Sequence, residues 1–172
     1  MSAVVQRLLD RMMLFFLDFF LFFHIMGDMK IVIDTSVFVA GLRSNQGASH
    51  LILQKIGSAE IKGIISVAVL LEYEDVLKRP DNLSAFGMTS QDVDVILDMI
   101  CLRFDHIVTH FLWRPCLKDA DDDMLLELAV GGRAEAIVTH NVKHFKGVNN
   151  LFHNLKILTP KDYLTTYLKR RN

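Results

Sequence analysis

Residues 30–34 read KIVID, and the topology turns on how they are read. Ile31, Val32 and Ile33 are β-branched and consecutive, with a lysine before them and an acid after. A strand with one wet face alternates apolar and polar residues; this run does not alternate, so it reads as a buried strand of a parallel sheet. Two hydroxyls, Thr35 and Ser36, follow, and a helix is expected from Ser36. Strand, acid, hydroxyls and helix make the opening of a βα unit.

The same grammar recurs along the chain. Helices are expected over about 49–56, 67–78, 89–103 and 122–130. Pro80 marks the end of the second, Thr89 or Ser90 caps the third, and Gly131-Gly132 stops the fourth. Further strands are expected at 61–66 (IKGIIS), 106–109, 136–139 (AIVT) and 156–158. Pro160 then opens a terminal helix to about Lys169. Strands alternating with helices predict an α/β fold around a parallel sheet of about five strands. In such sheets ligands bind beyond the carboxyl ends of the strands. Asp34-Thr35-Ser36 and Thr139-His140-Asn141 stand at two such ends.

The chain has 172 residues, a one-domain length, of which 51% are apolar, and a mean hydropathy of +0.29. It can build a sizeable core. Its net charge of −1 excludes a global basic field, so any nucleic-acid site is local. Cys101 and Cys116 lack CxxC spacing and read as buried free thiols, in keeping with a reducing cytoplasm.

Residues 1–28 stand apart as a hydrophobic extension before a domain over 29–172. The stretch at 8–26, LLDRMMLFFLDFFLFFHIM, holds six of the twelve phenylalanines. Asp18 splits it, and a central Asp costs roughly 2.5–3.5 kcal/mol on insertion into a membrane, so no integral span is expected. Leu8, Met12, Phe15, Phe19, Phe22 and Met26 instead keep helical spacing, with Arg7, Arg11 and Asp18 on another stripe. An amphipathic accessory helix is expected, or a start mis-assigned ahead of Met29.

Acids dominate the candidate chemistry. Asp34 fits either a strand-end ligand or the cap of the next helix. Glu72 borders the apolar stripe of Val69, Leu70, Tyr73, Val76 and Leu77, and by itself reads as exposed, like Glu74 and Asp75. Residues 119–129 read DADDDMLLELA, with four carboxylates in five positions. One or two acids suit a helix N-terminus; four exceed that need. Crowded carboxylates end with a raised pKa or a bound cation. With no Cys or His among them, they suit a hard ion, Mg²⁺ or Mn²⁺, and phosphoryl chemistry. The pairs His106/His110 and His140/His144 read as surface or loop histidines rather than a zinc site, and Phe111 and Trp113 as packing residues.

In order, IVIDTSVFVAGL, SVAVLLEYEDVLKRP, DADDDMLLELAVGGRAEAIVTHN and LTPKDYL resemble the PIN domain, in particular the toxins of toxin–antitoxin modules. The resemblance covers 29 to about 168. It implies a three-layer sandwich and a metal-dependent ribonuclease acting on RNA, with Mg²⁺ or Mn²⁺ held by acids at the sheet's carboxyl ends. By position, Asp34, Glu72, Asp122 and Asp119 match the catalytic acids. Asp34, Asp119 and Asp122 would hold the ion, with Asp123 as a substitute ligand. Thr35, Ser36 and Thr139 match supporting hydroxyls at the substrate. Asn141 stands where the family often has Asp, and it brings an amide without charge. Arg43, Lys143 and Lys146 lie near strand ends and read as solvated charges that could meet an RNA backbone. The resemblance also implies an antitoxin partner and a homodimer. The rival reading is a degenerate PIN domain that binds RNA or a protein without cutting.

Overall fold

β1 (Ile31–Ile33), β4 (Ala136–Val138) and β5 (Lys156–Leu158) pair in parallel, with β4 in the middle. Ile31, Val32 and Ile33 face Ala136, Ile137 and Val138, and these in turn face Lys156, Ile157 and Leu158. The computed structural model describes residues 30–109, 117 and 120–171. The leader 1–28, His110, Phe111, Trp113, Cys116 and Asp119 lie outside these residues. The three side chains of β1 have no solvent exposure. Successive strand side chains point to opposite faces, so both faces of β1 are covered, as its unbroken apolar run requires.

A second parallel sheet pairs β2 (Ile64–Ile65) with β3 (Asp105–His106). One bridge, Ile31 to Gly63, links it to β1, and the Ile31 N–H reaches Lys62 O at 3.3 Å. The sequence called for about five strands in one sheet; the described residues form a sheet of three and a sheet of two. The narrowing has a cause at Gly63, where a Cβ would stand 2.4 Å from the ring of buried Phe104. A strand glycine marks such a close backbone approach. The run 61–66 therefore contributes only two ladder residues. Its partner is equally short and starts one residue before the predicted 106–109.

Helix α1 (Thr35–Arg43) follows β1, then α2 (Ala48–Gly57). Beyond β2 come α3 (Val67–Leu77), α4 (Pro80–Phe86) and α5 (Ser90–Arg103). Ser66 caps α3, and Thr89 with Asp92 forms a reciprocal capping box on α5. Pro80 does not simply end a helix. It occupies the first position of α4, where its missing N–H is no loss and its fixed φ suits the turn.

α6 (Ala120–Gly131) begins two residues before the predicted helix and packs on β1, β2 and β4. A 3₁₀ turn (Val142–Phe145) and the short α7 (Val148–Leu151) lead to β5, and α8 (Pro160–Arg171) closes the chain. The core runs from β1 and β4 through Ile52 and Ile56 of α2 to Val69, Tyr73 and Leu77 of α3 and Leu128 and Ala129 of α6. Cys101 is a free, half-buried thiol rather than a buried one. Among the described residues no helix is long and apolar enough to cross a membrane.

Candidate active site

Asp34 is both cap and cleft residue. Its N–H extends the strand ladder to Val138 O at 2.9 Å. Its Oδ1 accepts the Ser36 N–H at 3.0 Å, which caps α1. Its Oδ2 accepts the hydroxyl of fully buried Thr139, and the Thr139 oxygen in turn accepts the Asn141 N–H at 2.8 Å. The carboxylate is therefore fixed from both sides. Each of its oxygens has two lone pairs, so acceptor capacity is left toward the cleft.

Glu72 reaches the same place from α3. Its neighbour Tyr73 is fully buried, and the Tyr73 hydroxyl donates to Ile33 O, one residue before Asp34. That bond fastens α3 to the end of β1. Half-buried Glu72 then meets Thr35, whose Oγ1 donates to Glu72 Oε1 at 2.8 Å. Burial pushes the Tyr73 phenol well above its usual pKa, and the charges of Asp34 and then Glu72 push it further in the same direction. Both carboxylates thus act on one phenol. Glu74 and Asp75 turn outward to Lys78 and Arg79, at 2.7 Å each.

Asp122 lies in the first turn of α6 with little exposure, and its Oδ2 accepts from His144 Nδ1 at 2.9 Å. Asp123 is buried and differently engaged: its Oδ1 accepts the Leu117 N–H at 2.8 Å. Adjacent helix residues point about 100° apart, so one acid faces the cleft and the next ties down the preceding chain.

A cleft of about 640 Å³ brings Asp34, Glu72 and Asp122 together with Thr35, Ser36 and Asn141. Thr139 lies behind Asp34 rather than on the cleft wall, and Asp123 is not on the wall. Arg43, His140 and His144 also line it; Lys143 and Lys146 are exposed elsewhere. His140 is held by Ser36 Oγ on its N–H at 3.3 Å and by Ser49 Oγ, 2.9 Å from Nε2.

Sequence reasoning missed three of these contacts. His140 and His144 read from their spacing as surface or loop histidines rather than a zinc site. The position of His140 at a strand end was the available signal, whereas nothing in the sequence paired His144 with Asp122. Asn82, also on the cleft wall, carries no sequence signal, because no element is expected between Pro80 and Thr89.

Among the described residues, no three His, Cys, Asp or Glu side chains stand close enough to hold one metal ion. The oxygen donors still fit a hard cation. Mg²⁺ takes one or two carboxylates and fills its shell with water and substrate phosphate, and Asp34 and Asp122 on the cleft wall are carboxylates of that kind.

A family model for the PIN domain matches residues 30–143, about two thirds of the chain. The chain belongs to the PIN domain family, whose members are typically nucleases that use divalent metal ions. The match takes in all three cleft acids and Asn141 and ends one residue before His144. No curated protein matches the chain.

Proposed function

We propose that this PIN domain is a metal-dependent endoribonuclease, the toxin of a toxin–antitoxin module, acting in the cytoplasm on RNA phosphodiesters. One observation carries the reading. Asp34, Glu72 and Asp122 come from three distant stretches of sequence and line one cleft beyond the carboxyl end of β1.

Asp34 and Asp122 would hold Mg²⁺ or Mn²⁺, and Asp119, three residues before Asp122 in sequence, would be a further ligand. A divalent ion bound there supplies charge compensation for the acids and polarises the phosphodiester. Asp123 serves in this reading as an anchor through Leu117, and not as a ligand. Thr139 holds Asp34 in position from behind. Thr35 orients Glu72, which accepts a proton from the attacking water. The water oxygen bonds to phosphorus, the bond to the leaving ribose oxygen breaks, and that oxygen takes a proton from solvent. Ser36 and Asn141 face the substrate from the strand ends. His144 keeps Asp122 aimed into the cleft. A small antitoxin and a second copy of the chain are the partners this reading calls for.

Asn141 favours a second reading, in which the domain binds RNA or a protein without cutting. It is exposed on the cleft wall as a neutral amide. End-labelled single-stranded RNA incubated with Mn²⁺ or Mg²⁺ separates the two. Cleavage by the wild type that is lost in Asp34→Asn and Asp122→Asn supports the nuclease. Binding without cleavage supports the second reading. Growth arrest on induced expression, absent for Asp34→Asn, tests the toxin role.

A further inference from the structure

Among the described residues the cleft wall carries one guanidinium, that of Arg43 in the last turn of α1. Its partner is Asn82, whose Oδ1 accepts from Arg43 Nη2 at 2.7 Å. Asn82 is 8% exposed. Its Nδ2 donates to Val76 O at 2.7 Å, and its N–H to Arg79 O at 2.9 Å. The amide cannot turn over, because the reversed orientation would aim N–H groups at a guanidinium and an oxygen at a carbonyl. Among the described residues no carboxylate pairs with Arg43.

Arg43 is exposed, so its guanidinium stands at the solvent side of the cleft. Here a buried neutral amide fixes it and leaves its charge uncancelled. A guanidinium has five N–H donors in a planar fork that matches phosphate oxygens bidentately. One bond to Asn82 leaves the rest of the fork available. Holding the side chain in advance also lowers the ordering cost of binding.

From this geometry we infer that Arg43 is the cleft's phosphate-binding arm, and that Asn82 is the positioning residue that aims it. The ligand is a backbone phosphate of single-stranded RNA lying in the cleft. The inference rests on the nucleic-acid reading of the cleft, and not on cleavage.

The test is salt-dependent binding of a fluorescein-labelled single-stranded RNA, followed by anisotropy for wild type, Arg43→Gln, Asn82→Asp and Arg103→Gln. Each phosphate contact on a single strand contributes about 0.7 to the slope of log affinity against log salt. Arg43→Gln is expected to lower the slope by about that amount. Asn82→Asp places a carboxylate against the guanidinium and is expected to lower it similarly, with Arg43 still present. Arg103 is exposed in the last turn of α5, and Arg103→Gln is expected to leave the slope unchanged. An unchanged slope in Arg43→Gln, or an equal fall in Arg103→Gln, overturns the inference. Binding and a lowered slope without any cleavage support the arm and overturn the nuclease. A wild type that binds no RNA overturns both.

Discussion

Thr35 donates its hydroxyl to Glu72 Oε1 at 2.8 Å, joining residues 37 positions apart. The bond ties the first turn of α1 to the middle of α3 and turns Glu72 into the cleft. Thr35→Val keeps the shape and removes the donor. Hydrogen bonds to charged groups contribute about 1.5–3 kcal/mol; the expected loss of stability is about 1–2 kcal/mol because Glu72 is only half-buried. Urea unfolding reads that loss. In a cleavage assay the same variant is expected to lower kcat more than it raises KM, since Glu72 acts on the water rather than on RNA binding.

Asp34→Asn separates folding from chemistry. Asparagine caps a helix about as well as aspartate, so α1 keeps its start, and one charge leaves an acidic cleft. Asparagine keeps one acceptor oxygen where aspartate uses two, toward the Ser36 N–H and the Thr139 hydroxyl. The melting temperature is therefore expected to fall modestly, while cleavage falls at least about 100-fold, the scale of removing one strongly engaged catalytic group. Mn²⁺ is expected to raise the melting temperature of the wild type, because a ligand of the folded state stabilises it by mass action, and to do so much less in Asp34→Asn. An equal Mn²⁺ shift in both proteins would remove Asp34 from the ligand set.

Tyr73 gives the fold a pH limit. Its phenol is raised above the usual value of about 10 by burial and by Asp34 and Glu72. Above that pH the unfolded chain loses this proton and the folded chain keeps it. The contribution is complete below about pH 10 and is lost as pH climbs toward the folded value, at up to about 1.4 kcal/mol per pH unit. Lys78, raised by Asp94 and Glu74, loses its contribution in the same direction and is common to wild type and variant. Tyr73→Phe is expected to be less stable at neutral pH by about 1–3 kcal/mol, for a buried hydrogen bond removed. It is also expected to show a shallower decline above pH 10. Parallel declines in the two proteins would refute the assignment.

Two glycines make opposite predictions. At Gly63 an added Cβ meets the Phe104 ring at 2.4 Å, whereas at Gly57, the last residue of α2, nothing lies within 4 Å. Gly63→Ala is expected to destabilise by about 1–3 kcal/mol through overpacking. Gly57→Ala is expected to stabilise by about 0.4–1 kcal/mol by restricting the unfolded chain. Thermal or urea unfolding of the two variants side by side decides both.

The alternation of strand and helix was legible in the sequence because buried parallel strands lack polar interruptions. β1, β4 and β5 fall where their apolar runs lie. α4, the 3₁₀ turn and α7 were not legible. They are short, and proline at a first helical position looks the same in sequence as proline that ends a helix. Asp34 was legible from its place at a strand end. Glu72 was not legible from periodicity alone, since its inward turn depends on the Tyr73 hydroxyl reaching Ile33 O across 40 residues. The contrast between Asp122 and Asp123 needed the first residue of α6, which patterns of acids leave uncertain by a turn. The pairing of Asn82 with Arg43 is a long-range contact with no local signature.

Among the described residues a lone bridge, Ile31 to Gly63, joins the two sheets. Asp34 belongs to one side, and Glu72 rides on the helix that follows β2 on the other. The Tyr73–Ile33 and Thr35–Glu72 hydrogen bonds and the Lys30–Asp105 ion pair cross between them. The spacing of these carboxylates therefore depends on a seam whose close approach is set at Gly63 and Phe104, away from the acids in sequence.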